Sequence, residues 1–385
     1  MARRYLDVES VVARRYSAGA RKRQSALCCP TSYRPELLKI IPAEIIENDY
    51  GCGDPSRYVR ERETVLDLGS GGGKICYIAA QIVGARGRVI GVDFNDEMLA
   101  LARKHQRQVG TTLGYHNVRF RKGKIQDLRL DYELLDAWLA KHPVTDSKTF
   151  LALQSQISKL RSTRPMIADE SIDVVVSNCV LNLVNHDDKP QLFREIHRVL
   201  KRGGRAVISD IVSDEDVPAK LQANARLWSG CISGALREDA FVKAFENAGF
   251  YGVQILQRDH KPWRVVRGIE FRSITVAVYK GKEGVCLERN QAVIYKGPFK
   301  EVLDDDGHRL QRGVRAAVCD KTFQIYSRPP YWEHFIAVPP RKEVPLAKAK
   351  PFDRHGTNAR HPRETKGRSN KVTSSNGNGC GANCC

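Results

Sequence analysis

The chain has 385 residues, and 63 Lys and Arg residues against 44 Asp and Glu residues give it a formal net charge of +19. This length predicts two domains with tails. No apolar run approaches the roughly 20 residues of a membrane helix, and the basic excess lies largely at the chain ends, so we expect neither a membrane nor a nucleic-acid partner. Eleven cysteines without a secretory signal peptide favour reduced, reactive cysteines in a cytoplasmic enzyme.

The first predicted unit is an N-terminal segment over residues 1–60. Its first 27 residues are polar and compatible with a helix, and apolar positions recur at a helical spacing over residues 33–48. A glycine-rich loop, Tyr50 to Pro55, then carries Cys52 between two glycines. We therefore expect helical structure followed by an accessible cysteine loop.

An alternation of strands and helices over residues 61–282 predicts an α/β domain. The predicted strands are 64–68, 88–92, 118–122, 171–177 and 205–210, and the predicted helices are 76–83, 96–108 and 190–200. Two later strand-like runs, 253–256 and 274–279, complete a seven-stranded sheet. This rhythm is typical of a parallel, Rossmann-like sheet with helices on both faces.

Two segments interrupt that rhythm within the domain. Residues 128–170 show helical periodicity on both sides of Pro143, which predicts a helical insertion at one edge of the domain. Residues 211–245 lie between the fifth and sixth predicted strands, where a substrate cap is usual. We therefore expect this segment to cover a site at the edge of the sheet.

The remaining chain divides into a small domain and a tail. Residues 283–340 contain short apolar runs, such as 292–295, 314–318 and 322–326, and these predict a small β-rich domain. Residues 341–385 are basic, poor in large apolar groups and end in cysteines. Such a segment cannot bury enough apolar surface to offset its ordering entropy, so we predict disorder there.

A glycine-rich loop, Val65-Leu-Asp-Leu-Gly-Ser-Gly-Gly-Gly73, follows the first predicted strand. Glycine permits the positive φ angles and the close backbone approach that a nucleotide-type ligand demands. Asp93 ends the second strand, where its carboxylate can accept hydrogen bonds from both ribose hydroxyls. Nicotinamide-cofactor sites also have a glycine-rich loop and an acid at the end of the next strand. Here, however, Asp67 precedes the first glycine, and the spacing of Gly69 and Gly71 differs from Gly-x-Gly-x-x-Gly. An acid followed by Gly-x-Gly resembles the S-adenosylmethionine methyltransferases.

That resemblance implies a set of cofactor contacts. In the family, the acid before the glycines helps to hold the cationic amino-acid end of the cofactor, and a polar residue after the third strand lies near the adenine. We therefore expect Ile125 to pack on the ring and Gln126 or Asp127 to bond its amino group. The expected cofactor-binding residues are Asp67, Gly69, Gly71, Asp93, Phe94, Ile125, Gln126, Asp127 and Asn178.

Three cysteines have contexts that indicate chemistry. Cys179 follows the fourth strand, at the edge where methyltransferase folds place the acceptor, and Cys231 lies in the predicted cap. Cys52 lies in the loop before the first strand, and all three can converge above the cofactor. Buried cysteines are often only small hydrophobic residues, and this interpretation is the one we apply to Cys76, Cys286 and Cys319.

The motifs together resemble the arsenite S-adenosylmethionine methyltransferases over roughly residues 5–340. The matching stretches are Cys28-Cys29, Tyr50-Gly-Cys-Gly53, Val65 to Gly71, Ser177-Asn-Cys-Val-Leu-Asn-Leu183 and Gly230-Cys-Ile-Ser-Gly-Ala-Leu236. The resemblance implies that Cys179 and Cys231 are arsenic ligands throughout the reaction and that Cys52 is the third. It also implies that Cys28 or Cys29 forms a disulfide during turnover, which thioredoxin or glutathione reopens.

The implied chemistry suits these residue types. Trivalent arsenic is soft, so thiolates are its natural ligands, and its lone pair can act as the nucleophile without a general base. The alternative is an S-adenosylmethionine methyltransferase with another small thiol or carbon acceptor, whose activity would survive Cys179→Ser. A thiolate zinc-binding protein would bind no such cofactor. The number of methyl groups added stays open.

Overall fold

The computed structural model of the protein describes residues 6–22, 24, 31–48, 50–352 and 359–367. Cys28 and Cys29 lie outside the described residues, as do the three cysteines of the last six positions. The chain divides into two compact units, Met1–Gly281 and Lys282–Cys385.

The first unit is built on a mixed sheet of eight strands. These are β1 (Thr64–Leu68), β2 (Arg88–Asp93), β3 (Val118–Lys122), β4 (Ile172–Asn178), β5 (Leu200–Ser213), β6 (Tyr251–Arg258), β7 (Arg264–Val266) and β8 (Ile269–Tyr279). Their order is β3-β2-β1-β4-β5-β8-β6, with β7 beside β8. β1 to β5 run parallel, whereas β8 is antiparallel to β5 and β6. The predicted α/β fold is confirmed, and β7 is the strand that the sequence did not predict.

Helices pack around this sheet. They are α1 (Val8–Arg21), α2 (Pro35–Leu38), α3 (Ala43–Glu47), α4 (Lys74–Val83), α5 (Asp96–Leu113), α6 (Tyr132–Leu139), α7 (Ser147–Thr163), α8 (Lys189–Val199), α9 (Ala219–Gln222), α10 (Ala225–Trp228) and α11 (Glu238–Asn247). The helical spacing over 33–48 resolves into the two short helices α2 and α3. Pro42, which lies immediately before α3, lacks the N–H that a continuous helix would need.

The core beneath the sheet corrects the limits of the predicted cap. Phe241 and Phe245 of α11 are fully buried against Phe250 and the central strands, and β5 continues to Ser213. Because α11 belongs to the main core, the cap is limited to residues 214–237, between β5 and α11.

The insertion consists of α6 and α7. Aspartates cap both helices, since Asp131 accepts hydrogen bonds from the first turn of α6 and Asp146 forms a capping box with Thr149 in α7. The helices meet over a small apolar cluster of their own, formed by Leu130, Leu135 and Leu160.

Within its described residues, the second unit has short strands and two α-helices. They are β9 (Leu287–Glu288), β10 (Ala292–Tyr295), β11 (Glu301–Leu303), β12 (Arg309–Gln311), β13 (Arg315–Ala317), α12 (Asp320–Tyr326), β14 (Phe335–Val338), β15 (Lys350–Pro351) and α13 (Pro362–Lys366). β10 is the central strand of a three-stranded sheet with β13 and β14.

Two sequence predictions for this region were wrong. The run 322–326 is helical, because Cys319 caps α12 and a short apolar run does not distinguish a helix from a strand. Part of the segment predicted to be disordered from residue 341 is ordered: β15 pairs with β9, and α13 follows. Arg360 explains this order, since its buried guanidinium pairs with Glu288 at 2.8 Å, a long-range contact that composition does not reveal.

Candidate active site

The carboxyl ends of the parallel strands build the candidate site. β1 leads into the glycine loop, β2 ends at Asp93, β3 leads into Lys124, and β4 leads into Cys179. In sheets of this type, ligands bind at that edge. A cavity lies there, lined by Glu9, Val12, Ala13, Tyr16, Asn48, Tyr50, Asp67, Gly69, Ser70, Gly71, Gly72, Ile75, Asp93, Phe94, Asn95, Met98, Gly123, Lys124, Ile125, Gln126, Asn178, Cys179, Val180, Leu183, Val184 and Asn185.

The glycine loop is shaped by its neighbours on both sides. Gly69 has a φ of +68°, and a Cβ there would lie 2.4 Å from Cγ1 of Val180, next to Cys179. Gly71 N donates to Asp93 Oδ2 at 2.8 Å, and Asn95 N donates to Asp93 Oδ1 at 2.8 Å. Burial raises the pKa of Asp93. The carboxylate therefore orders the loop in addition to facing the cavity.

Two buried polar groups at this loop point to a ligand. The Ser70 hydroxyl is buried without a hydrogen-bond partner among the described residues, and it lines the cavity. Asp67 is 2% exposed and accepts a hydrogen bond from Cys76 Sγ at 3.2 Å. Since burial raises the pKa of Cys76, its thiol stays a donor at neutral pH. These groups fit a polar ligand with a cationic end, as S-adenosylmethionine has.

Some of the residues predicted to contact the adenine line the cavity, and one of them does not. Phe94, Ile125 and Gln126 line the cavity. Asp127 does not, because Arg161 of α7 binds its carboxylate through Nε at 2.9 Å and Nη2 at 2.6 Å. Asp127 thus anchors the helical insertion, and its expected role in cofactor binding stays a prediction.

The first helix covers the cavity, a role that the sequence analysis missed. Glu9 of α1 pairs with Lys124 Nζ at 2.6 Å, and Asn95 Nδ2 donates to Ala13 O at 3.0 Å and to Ser17 Oγ at 2.9 Å. Apolar residues recur every four positions and were the signal available in the sequence: Val8, Val12, Tyr16 and Ala20. The Tyr16 hydroxyl lies 3.9 Å from Cys231 Sγ, so α1 adjoins both the cofactor cavity and the cysteines.

Three cysteines converge beside the cavity. Cys52, Cys179 and Cys231 are all buried and share one apolar cluster with the cap. Cys231 Sγ donates to Cys179 O at 3.2 Å. The Cys179 thiol acts as a hydrogen-bond donor toward Cys231 and Cys52, and these bonds together with burial hold its pKa well above its usual value, while burial raises the pKa of Cys52. The structure thus brings together the three predicted ligands, and Cys52 and Cys179 are neutral thiols at pH 7.

Two of these cysteines have strained backbones. Cys179 has a φ of 64° and Cys231 has a φ of 60°. Both values lie in the left-handed region, which residues other than Gly, Asn and Asp rarely adopt. Both are fixed by main-chain hydrogen bonds, Cys179 N to Ser209 O at 2.7 Å and Cys231 N to Trp228 O at 3.0 Å. Such strain persists where surrounding structure over-determines it, and it is typical of functional sites.

Asn178 lines the cavity and also positions the Cys52 loop, and its expected role in cofactor binding stays a prediction. Its Oδ1 accepts hydrogen bonds from Cys52 N at 2.9 Å and Gly53 N at 3.1 Å, and its Nδ2 donates to Gly53 O at 2.7 Å and Tyr33 Oη at 3.1 Å. The amide has little bonding capacity left for a cofactor. Gly51 allows this approach, since a Cβ there would lie 2.3 Å from Nδ2.

A buried lysine joins the other two cysteine segments, and the sequence analysis missed it. Lys189 Nζ donates to Leu181 O at 3.0 Å and Gly234 O at 2.7 Å, two and three residues beyond Cys179 and Cys231. Burial lowers the pKa of Lys189 to about 8 and raises that of nearby Asp210 to about 6. Lys189 therefore fixes the spacing of two thiols that are 52 positions apart in the chain.

The sheet, the glycine loop and the acid after β2 define a class I S-adenosylmethionine-dependent methyltransferase. Residues 60–249 match the methyltransferase domain family, and residues 282–370 match a domain of unknown function. The arsenite methyltransferase of Aquipseudomonas alcaligenes is 31% identical over 328 residues, 81% of this chain and 84% of that protein. The chain therefore belongs to the arsenite methyltransferase family.

Two other relatives agree with this assignment. The human arsenite methyltransferase is 28% identical over 335 residues, 83% of this chain and 80% of that protein. The crystal structure of an arsenic(III) S-adenosylmethionine methyltransferase from Chlamydomonas reinhardtii is 26% identical, with a TM-score of 0.54, and covers 84% of this chain and all of that one. Among the described residues, no helix combines the length and the hydropathy needed to cross a membrane.

Proposed function

We propose that this enzyme methylates trivalent arsenic held by Cys52, Cys179 and Cys231. The observation that carries the proposal is the convergence of three buried thiols, from three separate segments, beside a cavity with the features of a cofactor site. The relatives named above act on arsenite by name, and they do not favour the alternative of another small thiol or carbon acceptor.

The thiols suit arsenite as a substrate. Each neutral thiol replaces one hydroxyl of arsenous acid: an As–S bond forms, an As–O bond breaks, and the thiol proton leaves with the hydroxyl as water. Three sulfur ligands leave the arsenic lone pair free, so the acceptor is nucleophilic without a general base. The raised pKa values of Cys52 and Cys179 are compatible with this exchange because it consumes thiols and releases no net proton.

Residues of this chain would bind the cofactor and hold it close to the arsenic. S-adenosylmethionine, when bound, supplies an electrophilic methyl group on a sulfonium. Asp93 would hold the ribose, Asp67 the amino-acid end, and Phe94 and Ile125 would flank the adenine. α1 covers the cavity and limits the access of water, and holding both reactants in one place supplies the proximity on which the rate depends.

A reducing step completes the proposed cycle. Formal methylation oxidises arsenic to the pentavalent state, and a pair of thiols that forms a disulfide returns two electrons to it. Cys28 or Cys29 is the proposed redox partner, by the resemblance alone. Thioredoxin or glutathione would reopen that disulfide, and we propose a cytoplasmic enzyme because thiols are kept reduced in that compartment.

The test is methyl transfer from labelled S-adenosylmethionine to arsenite with a thiol reductant present. We expect methylated arsenic from the parent and a loss of roughly 100-fold or more in Cys179→Ser and Cys231→Ser, since each removes a ligand that positions the arsenic. S-adenosylmethionine binding, measured by equilibrium dialysis, serves as the internal control and should change little. Methylation of arsenite that survives both substitutions would overturn the thiolate mechanism.

A further inference from the structure

The second unit holds a pair of cysteines that the methylation chemistry does not use. Cys286 is exposed and Cys319 is 4% exposed, and both thiols are free. The segment that carries Cys286 lies against the start of α12, which carries Cys319 at its N-cap. The pair falls within residues 282–370, which match a domain of unknown function.

Two contacts fix this juxtaposition from both sides. Lys321 Nζ donates to Gly284 O at 3.4 Å, and Arg289 Nη1 donates to Asp320 Oδ1 at 2.7 Å. These links tie the residues before and after Cys286 to the two residues that follow Cys319. In addition, Phe352 N donates to Cys286 O at 2.8 Å, through the pairing of β15 with β9. The two segments that carry these thiols are therefore held side by side before any ligand arrives.

The two thiols have different environments. Cys319 caps α12, where its Sγ accepts from Thr322 N at 3.4 Å and lies 3.2 Å from Thr322 Oγ1. Cys286 is open to solvent, and Lys321 favours its thiolate, which opposes the rise in pKa caused by burial and by Cys319. An exposed, accessible thiol beside a fixed, buried one is suited to stepwise capture of a ligand.

We propose that Cys286 and Cys319 form a second arsenical site, selective for trivalent arsenic that carries one organic substituent. Such an arsenical has two exchangeable positions, and the site offers two thiols. No cluster of three or more His, Cys, Asp or Glu side chains able to hold a metal occurs among the described residues, whereas zinc normally takes four protein ligands in a structural site. The Lys321 ammonium also disfavours a divalent cation.

The exchange balances without a redox partner. An organoarsenic dihydroxide reacts with both thiols, so that two As–O bonds break and two As–S bonds form. Both thiol protons leave in two molecules of water, and arsenic stays trivalent. The second bond forms within one molecule, so a preorganised pair gains affinity over a single thiol by roughly 100-fold or more. That a singly methylated arsenical from the active site is the natural ligand rests on the proposed function.

The test uses phenylarsine oxide and the full-length, reduced protein. A saturating excess is added, unbound reagent is removed by gel filtration, and the protein is digested with trypsin without reductant. We expect mass spectrometry to find the peptides 283–289 and 316–321 joined through one phenylarsenic group. The same experiment on Cys179→Ser/Cys231→Ser should give the same joined peptide, because this site is independent of the catalytic thiols.

Controls separate chelation from other effects. Cys286→Ser and Cys319→Ser should each lose the joined peptide and retain one equivalent less arsenic at saturation. Serine at 319 preserves the helix cap, so the fold is retained. Diphenylchloroarsine, with a single exchangeable position, should not bridge the peptides. Equal arsenic retention by the parent and both variants, with no joined peptide, would overturn the proposal. Because no step requires methyl transfer, failure of the proposed function would leave this result unaffected.

Discussion

Asn178 offers the sharpest test of how the thiol site is built. In Asn178→Ala, the buried N–H groups of Cys52 and Gly53 lose their shared acceptor. An unsatisfied buried donor costs about 1 to 3 kcal/mol, so keeping the loop in place costs at least about 2 kcal/mol. That corresponds to a roughly 30-fold smaller population with Cys52 in position.

We therefore expect arsenite affinity and kcat/KM for arsenite methylation to fall roughly 30-fold, with cofactor affinity nearly unchanged. Titration of arsenite, equilibrium dialysis of S-adenosylmethionine and steady-state kinetics measure the three quantities. Asn117→Ala is the matched control, since the Asn117 amide donates to Ala80 O and Gly84 O at the opposite edge of the sheet. An Asn178→Ala variant whose arsenite affinity and kcat/KM stay within threefold of the parent would refute the reasoning.

Three further predictions concern the surroundings of the site. Gly69→Ala should lower the unfolding free energy by about 1 to 3 kcal/mol and weaken cofactor binding. The new Cβ would clash with Val180, and residue 69 has a positive φ that alanine rarely adopts. An unchanged urea midpoint would contradict this prediction. Lys189→Met should weaken arsenite binding roughly tenfold through the loss of two hydrogen bonds, with Lys189→Arg partly restoring it, and equal affinity in all three proteins would show that the lysine positions nothing. Burial raises the pKa of Asp210 to about 6, so the folded state keeps a proton that the unfolded chain releases near pH 4. The unfolding free energy contributed by this group then falls by up to about 3 kcal/mol between pH 4 and 6, and urea titrations of Asp210→Asn should lack that part of the pH dependence seen in the parent.

The sequence predicted the parts of the site that depend on local pattern. The strand before Gly69, the acid that ends β2 and the cysteine after β4 each occupy a strand end, and the edge of a parallel sheet collects such ends in one place. The cofactor loop and the convergence of Cys52, Cys179 and Cys231 could therefore be predicted before the structure. The fold class followed from the same alternation of apolar strands and helices.

Roles that depend on long-range partners could not be predicted. Asn178 was expected to bind the cofactor, but its amide is occupied by the Cys52 loop, 125 and 126 positions away. Asp127 was expected near the adenine, but it is paired with Arg161. A polar residue at a strand end has the right position for either role, and only the packed structure shows which hydrogen bonds it makes.

By itself, then, the sequence determined the α/β fold, the cofactor loop and the three thiols, because periodicity, glycine spacing and cysteine placement act over short distances along the chain. Only tertiary structure decided that α1 covers the cavity, that Lys189 links two cysteine segments, and that the segments carrying Cys286 and Cys319 lie side by side. These features depend on groups that are distant in the chain and become neighbours only when burial and hydrogen bonding fix the backbone around them.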